Sequence, residues 1–169
     1  MSFDFQHRKP KIHDVIARNP VLLSNLQTPL LSLASHQLAG RGRGSNIWLS
    51  PSGCLQFSLL LRISLSSTPT TPPFPAAKLV FIQYLAALAV SEACRDENVL
   101  GEKLGSKVRL KWPNDLYVDL GVDGKEDLKK FGGILVNTNF QGGKVDIVIG
   151  LFDIDKVVLV LTDNAQDAD

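Results

Sequence analysis

Three segments combine residues able to handle anions. The run Gln37-Leu-Ala-Gly40-Arg41-Gly42-Arg43-Gly44-Ser45-Asn46-Ile47-Trp48 alternates glycine with arginine. Glycines remove side-chain bulk, so backbone can approach a ligand closely, and each guanidinium offers a planar fork of donors suited to phosphate or carboxylate. Trp48 supplies an aromatic face just beyond the loop. Spacing alone supports equally an anion-closing loop and an Arg/Gly stretch that contacts RNA or is merely solvated, because two arginines are a small electrostatic footprint.

Lys111-Trp112-Pro113-Asn114-Asp115 ends an apolar run at a turn. A strand closing on Trp-Pro would deliver an amide and a carboxylate to the rim of a sheet, where loops build sites. Local physics favours a plainer reading, in which Asn114 and Asp115 form an Asx-type turn, Trp112 is core and Lys111 snorkels. Lys129-Lys130-Phe131-Gly132-Gly133-Ile134-Leu135-Val136 is the third segment. A lysine entering a strand beside two glycines can aim an ammonium at a ligand with no neighbouring side chain in the way. The plainer alternative is a charged strand entrance with a β-bulge.

The elements that must position these segments follow from periodicity. Asn19-Pro20 and Thr28-Pro29 punctuate the start, and Leu30 to Gln37 reads as a strand followed by a loop over Gly40 to Asn46. Cys54 to Leu65 reads as a central strand, and 64–75 as a flexible Ser/Thr/Pro connection. From Ala76 the period becomes helical, with Leu79, Ile82, Ala86, Ala89 and Ala93 on one face. Val108 to Trp112 is a strand that Leu116 to Val118 resumes after the turn. Phe131 to Asn137 and Val145 to Gly150 form a hairpin through Gln141-Gly142-Gly143. Val157 to Leu161 reads as one more strand and 163–169 as an acidic tail. The expectation is an α+β domain with a mixed β-sheet packed with helices.

Composition sets the frame: 169 residues, 44% hydrophobic and 21% charged, suit one globular domain. Lys plus Arg number 18 against 17 for Asp plus Glu, too balanced for a general nucleic-acid or membrane binder. Cys54 and Cys94 belong to no metal-ligand cluster, which points to a reducing compartment. The longest apolar stretch, Leu79 to Val90, is short for a membrane span, and the first residues lack a secretory pattern. A cytoplasmic protein is expected.

Taken together, the Gly-Arg-Gly-Arg-Gly run with Trp48 and Ser50-Pro51-x-Gly53, then Lys-Trp-Pro-Asn-Asp, then Lys-x-Gly-Gly-Ile-Leu-Val, resemble the catalytic domain of biotin protein ligases. The resemblance extends from about Leu30 to Gly150 and is greatest to the eukaryotic, fungal-like branch. It implies the biotin/lipoate ligase core, related to class II synthetases, and an activity in two steps. Biotin and ATP form biotinyl-5′-AMP and pyrophosphate, and a lysine on the biotin-carrier domain of a carboxylase then takes the biotinyl group. Residue by residue, the resemblance places Lys130 and Arg43 in catalysis. Gln37, Gly40, Arg41, Gly42, Arg43, Lys130 and Gly133 would bind biotin, with Gln37 on the ureido head. Arg41, Arg43, Trp48, Asn114, Asp115 and Lys130 would hold ATP or the adenylate, and Asp115 would bind Mg²⁺. No nucleic-acid or membrane partner is implied.

The chain departs from the family pattern twice. The Ser-Thr pair upstream of the glycine loop is replaced by Lys11-Ile12-His13-Asp14, and the Gly-x-Gly-x-Asn turn by Leu151-Phe152-Asp153-Ile154-Asp155. The expectation is a truncated catalytic core occupying 1–169. Two alternatives stay open: a catalytically inactive biotin- or nucleotide-binding fragment, and an RNA-binding domain using Arg41 and Arg43.

Overall fold

The structure, a computed structural model, describes residues 12–34, 37–41, 47–50, 54–67, 70, 72–121 and 124–152. The expected strand at Val157 to Leu161 and the acidic tail over 163–169 lie outside them, as do Gly42, Arg43, Gly44, Ser45 and Asn46.

Two short helices, α1 (Ile12–Ala17) and α2 (Pro20–Asn25), precede β1 (Leu30–Ala34). Pro20 stands in the first turn of α2, where its missing N–H costs nothing, and Asn19 caps that turn by accepting the Leu22 N–H at 3.0 Å. Among the described residues β2 (Gln37–Arg41) and β3 (Ile47–Ser50) pair with each other, whereas β4 (Gln56–Ser64) enters the main sheet. A 3₁₀ turn, Ala76–Phe81, leads into α3 (Ile82–Ala93), followed by α4 (Gly101–Gly105). Then come β5 (Val108–Lys111), β6 (Asp115–Asp119), β7 (Leu128–Gln141) and β8 (Lys144–Phe152). The main sheet has six strands in the order β1-β4-β8-β7-β6-β5, every pairing antiparallel rather than mixed. The α+β class expected from the sequence holds.

The central strand and the hairpin sit where the apolar runs put them. Gly142 and Gly143 both take positive φ (56° and 73°), which gives the β7–β8 connection the tight twist that matches its flanking strands. The strand expected over Leu30 to Gln37 is described over Leu30–Ala34, and Gln37 belongs instead to β2 of the two-stranded sheet. Gly40 and Arg41, expected in a loop, are in β2. The described start of the Arg/Gly run is thus a strand, Gln37–Arg41, because Gly40 opposite Trp48 and Arg41 opposite Ile47 complete a backbone ladder.

The two faces of the sheet differ. Leu116, Val118, Phe131, Ile134, Val145, Ile147, Ile149 and Leu151 build the main core against α3. The helical segment turns Leu79, Ile82 and Ala86 to them as expected, joined by Ala87, Val90 and the C-capping Cys94. Ala89 and Ala93 are exposed instead, beside an apolar groove of about 620 Å³ lined also by Leu55, Phe57, Leu59 and Leu85. Burial pushes the Cys94 thiol above its ordinary pKa, which makes it a poor nucleophile. The helical segment Ala76–Ala93 has 18 residues and a mean hydropathy of 1.4, enough to span a bilayer by length and composition, unlike the shorter run weighed from sequence. Its contacts with the core mark it as a covering helix of the sheet.

The opposite face is covered by α1 and α2, through Ile16 and Leu23 packed on Leu60 and Val148. Arg62 ties this layer down. Its Nε donates to Asp146 Oδ1 at 2.6 Å and its Nη2 to the Leu23 carbonyl at 2.6 Å, which satisfies the end of α2.

The loop after β6 is organised by Asp119, whose Oδ1 accepts the N–H of Gly121 at 2.9 Å and of Asp127 at 3.1 Å. These bonds, that from Gly121 first, hold its carboxyl below the usual carboxylate range. A depressed folded-state pKa means the loop gains order above the unfolded-state value and loses it as pH falls through the lower folded one. The amide resonances of Gly121 and Asp127 are therefore expected to titrate together by NMR, with a midpoint below that of an ordinary aspartate. A midpoint at or above the ordinary value would contradict this geometry.

Candidate functional site

Directly opposed residues on antiparallel strands share a face. Lys111 opposes Asp115, Asp115 opposes Gly133 and Gly133 opposes Phe152, which makes one row across β5, β6, β7 and β8. It lies on the face covered by α1 and α2, since Leu116, one residue from Asp115, belongs to the α3-side core.

Lys130 reaches this face because of a bulge. Leu116 opposes Gly132 and Tyr117 opposes Lys130, so Phe131 is the extra residue. In an unbroken register Lys130 would oppose Val118 and turn into the apolar core, because a one-residue slip sends a side chain to the other face. The bulge instead buries Phe131 and brings Lys130 Nζ to 2.8 Å from Asp115 Oδ1. Both side chains remain partly open to solvent, at 32% and 26%. The bulge expected in this segment is present, and it is what turns the Lys130 ammonium onto this face. Nearby, Lys111 Nζ sits 5.2 Å from the centre of the Tyr117 ring. Among the described residues this patch carries two ammonium groups and one carboxylate, an arrangement suited to an anion.

Asn114 is tied to β7, and Trp112 differs from the core position expected for it. Asn114 is buried, donates from Nδ2 to the Ile134 carbonyl at 3.2 Å and accepts the Ile134 N–H on its own carbonyl at 2.8 Å. It pins the turn before β6 to β7, so its amide supports the site. Trp112, expected in the core, is 61% exposed, and its ring centre lies 5.9 Å from that of Tyr84. The following Trp112–Pro113 bond is cis, and the Pro113 carbonyl accepts from Gln83 Nε2 at 3.1 Å.

Lys130, Asp115 and Gly133 are therefore brought together. Gln37, Gly40, Arg41 and Trp48 have backbone positions on the β2–β3 hairpin, where Gly40 is buried. β2 packs against α1, and α1 also meets β4, β7 and β8, so the hairpin adjoins the face that carries Lys130. Arg43 and Gly42 lie outside the described residues. Two residues on this face escaped the sequence reading. His13, buried on α1, contacts Asn137 Oδ1 through Nε2 at 2.8 Å. Gln56 begins β4 and is 2% exposed. The spacing of His13 and Ile16 on one helical face could have flagged the first; a polar residue heading an apolar strand could have flagged the second.

Asp115 is a single hard oxygen donor beside a cationic patch. Mg²⁺ held chiefly by nucleotide phosphates takes one or two protein carboxylates, so the residues present fit that ion. Among the described residues no cluster of three or more His, Cys, Asp or Glu forms a protein-only metal cage.

Residues 5–155 match the Biotin/lipoate A/B protein ligase family. The chain belongs to that family. Among its relatives, human biotin–protein ligase is 39% identical over 128 residues, covering 73% of this chain and 15% of the human protein. The Schizosaccharomyces pombe biotin–protein ligase is 33% identical over 141 residues, covering 80% of this chain and 21% of its own length. The chain therefore spans about a fifth or less of these relatives. Among solved structures, the biotin acetyl coenzyme A carboxylase synthetase of Helicobacter pylori with bound biotinylated ATP has a TM-score of 0.51 and 27% identity. That match covers 90% of this chain and 66% of the other. The biotin protein ligase of Leishmania major in complex with biotin, at a TM-score of 0.57 and 20% identity, shares the fold over 90% of this chain and 61% of its own. The ligase fold thus supplies the face on which the Lys130 patch is built.

Proposed function

We propose that this member of the ligase family activates biotin with ATP and passes it to a lysine on the biotin-carrier domain of a carboxylase. The observation that carries the reading is the bulge that turns Lys130 onto the Asp115 face beside Gly132 and Gly133. In the first step a carboxylate oxygen of biotin forms a bond to the α-phosphorus of ATP. The bond to the bridging oxygen breaks, and pyrophosphate leaves with the electron pair. Two anions meet and charge builds on phosphorus, so placed cations matter more than proton transfer. Lys130 holds the carboxylate and α-phosphate together, and Arg41 and Arg43 supply further positive charge. Asp115 keeps the Lys130 ammonium aimed and would give Mg²⁺ a protein oxygen, the ion supplying charge that offsets the phosphates when bound. In the second step the acceptor amine bonds to the acyl carbon, AMP leaves and the amine sheds a proton. Trp48 and the Arg/Gly hairpin cover the adenylate and keep water out until the carrier docks.

The deciding experiment is ATP–pyrophosphate exchange with Mg²⁺, run with biotin and separately with lipoate. Exchange with biotin and not with lipoate is the expected result. Biotin binding without exchange would make the chain a non-catalytic binder, and neither binding nor exchange would overturn the reading.

A further inference from the structure

Gln56 has an environment that the ligase face explains and the fold does not. It is 2% exposed, and among the described residues neither Nε2 nor Oε1 has a hydrogen-bond partner. A buried amide with both ends unsatisfied is costly to keep, so its presence calls for a partner that the described residues do not provide. Its face is fixed by β4. Gln56, Ser58 and Leu60 alternate as buried residues with Leu60 packed under α1 and α2, whereas Phe57 and Leu59 line the groove beside α3.

Its position is equally defined. Phe57 opposes Leu151, so Gln56 is one step further along, level with Phe152 and hence with Gly133. Two strand spacings, about 10 Å, separate it from Gly133. Ala34 opposes Gln56, and three residues of chain, at most about 11 Å, carry the backbone on to Gln37. Gln56 therefore stands near the base of the hairpin and three strand spacings, about 14 Å, from Asp115, which holds the Lys130 ammonium. That separation is comparable with the length of biotin from its carboxylate to its ureido ring.

We propose that Gln56 is a positioning and specificity residue for the ureido head of biotin, with its amide donating to the urea oxygen and accepting from a urea N–H. A carboxamide and a cyclic urea each offer one donor and one acceptor side by side, so the two satisfy each other. The inference rests on the biotin-activation reading above. It adds a second amide beside Gln37, and it accounts for discrimination against acids such as lipoate that lack a urea, since a site built to hydrogen-bond rejects what leaves it unpaired.

The test is Gln56→Leu, assayed by direct biotin binding, by pyrophosphate exchange and by circular-dichroism melting. The expected result is a loss of biotin affinity of about tenfold or more. The KM for ATP should be little changed, and Tm should stay the same or rise by several degrees because an unsatisfied amide has been removed. A fall in Tm together with affinity would make Gln56 a structural residue and overturn the proposal. Unchanged biotin affinity in a folded variant would do the same while leaving the ligase reading intact. Wild-type protein that neither binds nor exchanges biotin would remove both.

Discussion

Lys130→Ala is expected to lower biotin-dependent pyrophosphate exchange by about 10² to 10³, the effect of deleting one preorganised charge stabiliser from a transition state. On the proposed reading biotin binding should persist, because the ureido head and bicycle would be held at the other end of the face. The fold should tolerate the change. The Lys130–Asp115 pair is partly solvated on both sides, and pairs of this kind contribute about 1 kcal/mol or less. Lys130→Arg keeps the charge but spreads it over a planar fork, and should recover part of the rate. Exchange within about threefold of wild type in Lys130→Ala would remove this ammonium from the chemistry. Parallel losses of biotin binding and of melting temperature would assign the effect to folding instead.

A second large effect is expected at a distance from the chemistry, in the layer that roofs the site. Asp146 is 4% exposed and receives Arg62 Nε at 2.6 Å, while the same guanidinium holds the Leu23 carbonyl at the end of α2. Asp146→Ala leaves a largely buried cation with its carboxylate gone. That costs about 3 kcal/mol, at the lower end for a broken buried pair because Arg62 is 23% exposed. For a domain of this size such a loss lowers Tm by roughly 10 °C. Replacing both partners with apolar residues, Arg62→Leu with Asp146→Leu, should recover much of it, since two absent charges are cheaper than one stranded charge. A single variant within 0.5 kcal/mol of wild type, on the order of an ordinary surface change, would show that the pair does not anchor the roof.

How far these features were legible in the sequence differs from one to the next. The hairpin at Gln141-Gly142-Gly143 was plain because paired glycines in a two-residue connection have few other uses. The helix from Ala76 was plain in extent but only partly in facing. Its alanines fit either side of the stripe equally, and the sheet chose Ala87 and Val90 over Ala89 and Ala93. The Lys130–Asp115 pair could be guessed only as two separate segments, since what joins them is a register shift between distant strands that no local pattern reports. The Arg/Gly run misled in the other direction. Its glycines announce a loop, but β2 extends through Gly40 and Arg41 because Trp48 and Ile47 lie opposite them in β3. Asp146 was invisible as an anchor, being an isolated acid in an apolar strand until Arg62 is brought beside it.

The apolar groove beside α3 also constrains how the protein can be assayed. Environment-sensitive dyes that report unfolding do so by entering hydrophobic surface that opens as packing is lost. Here such surface, with Leu55, Leu85 and Ala89 at its edge, is present in the folded chain. A dye melt should therefore begin from high fluorescence and give a shallow or inverted transition. On the proposed reading biotin would bind on the opposite face of the sheet and leave that starting signal unchanged. Ligand screening on this protein accordingly calls for a readout blind to hydrophobic surface, and the dye itself becomes a probe of whatever else comes to cover the groove.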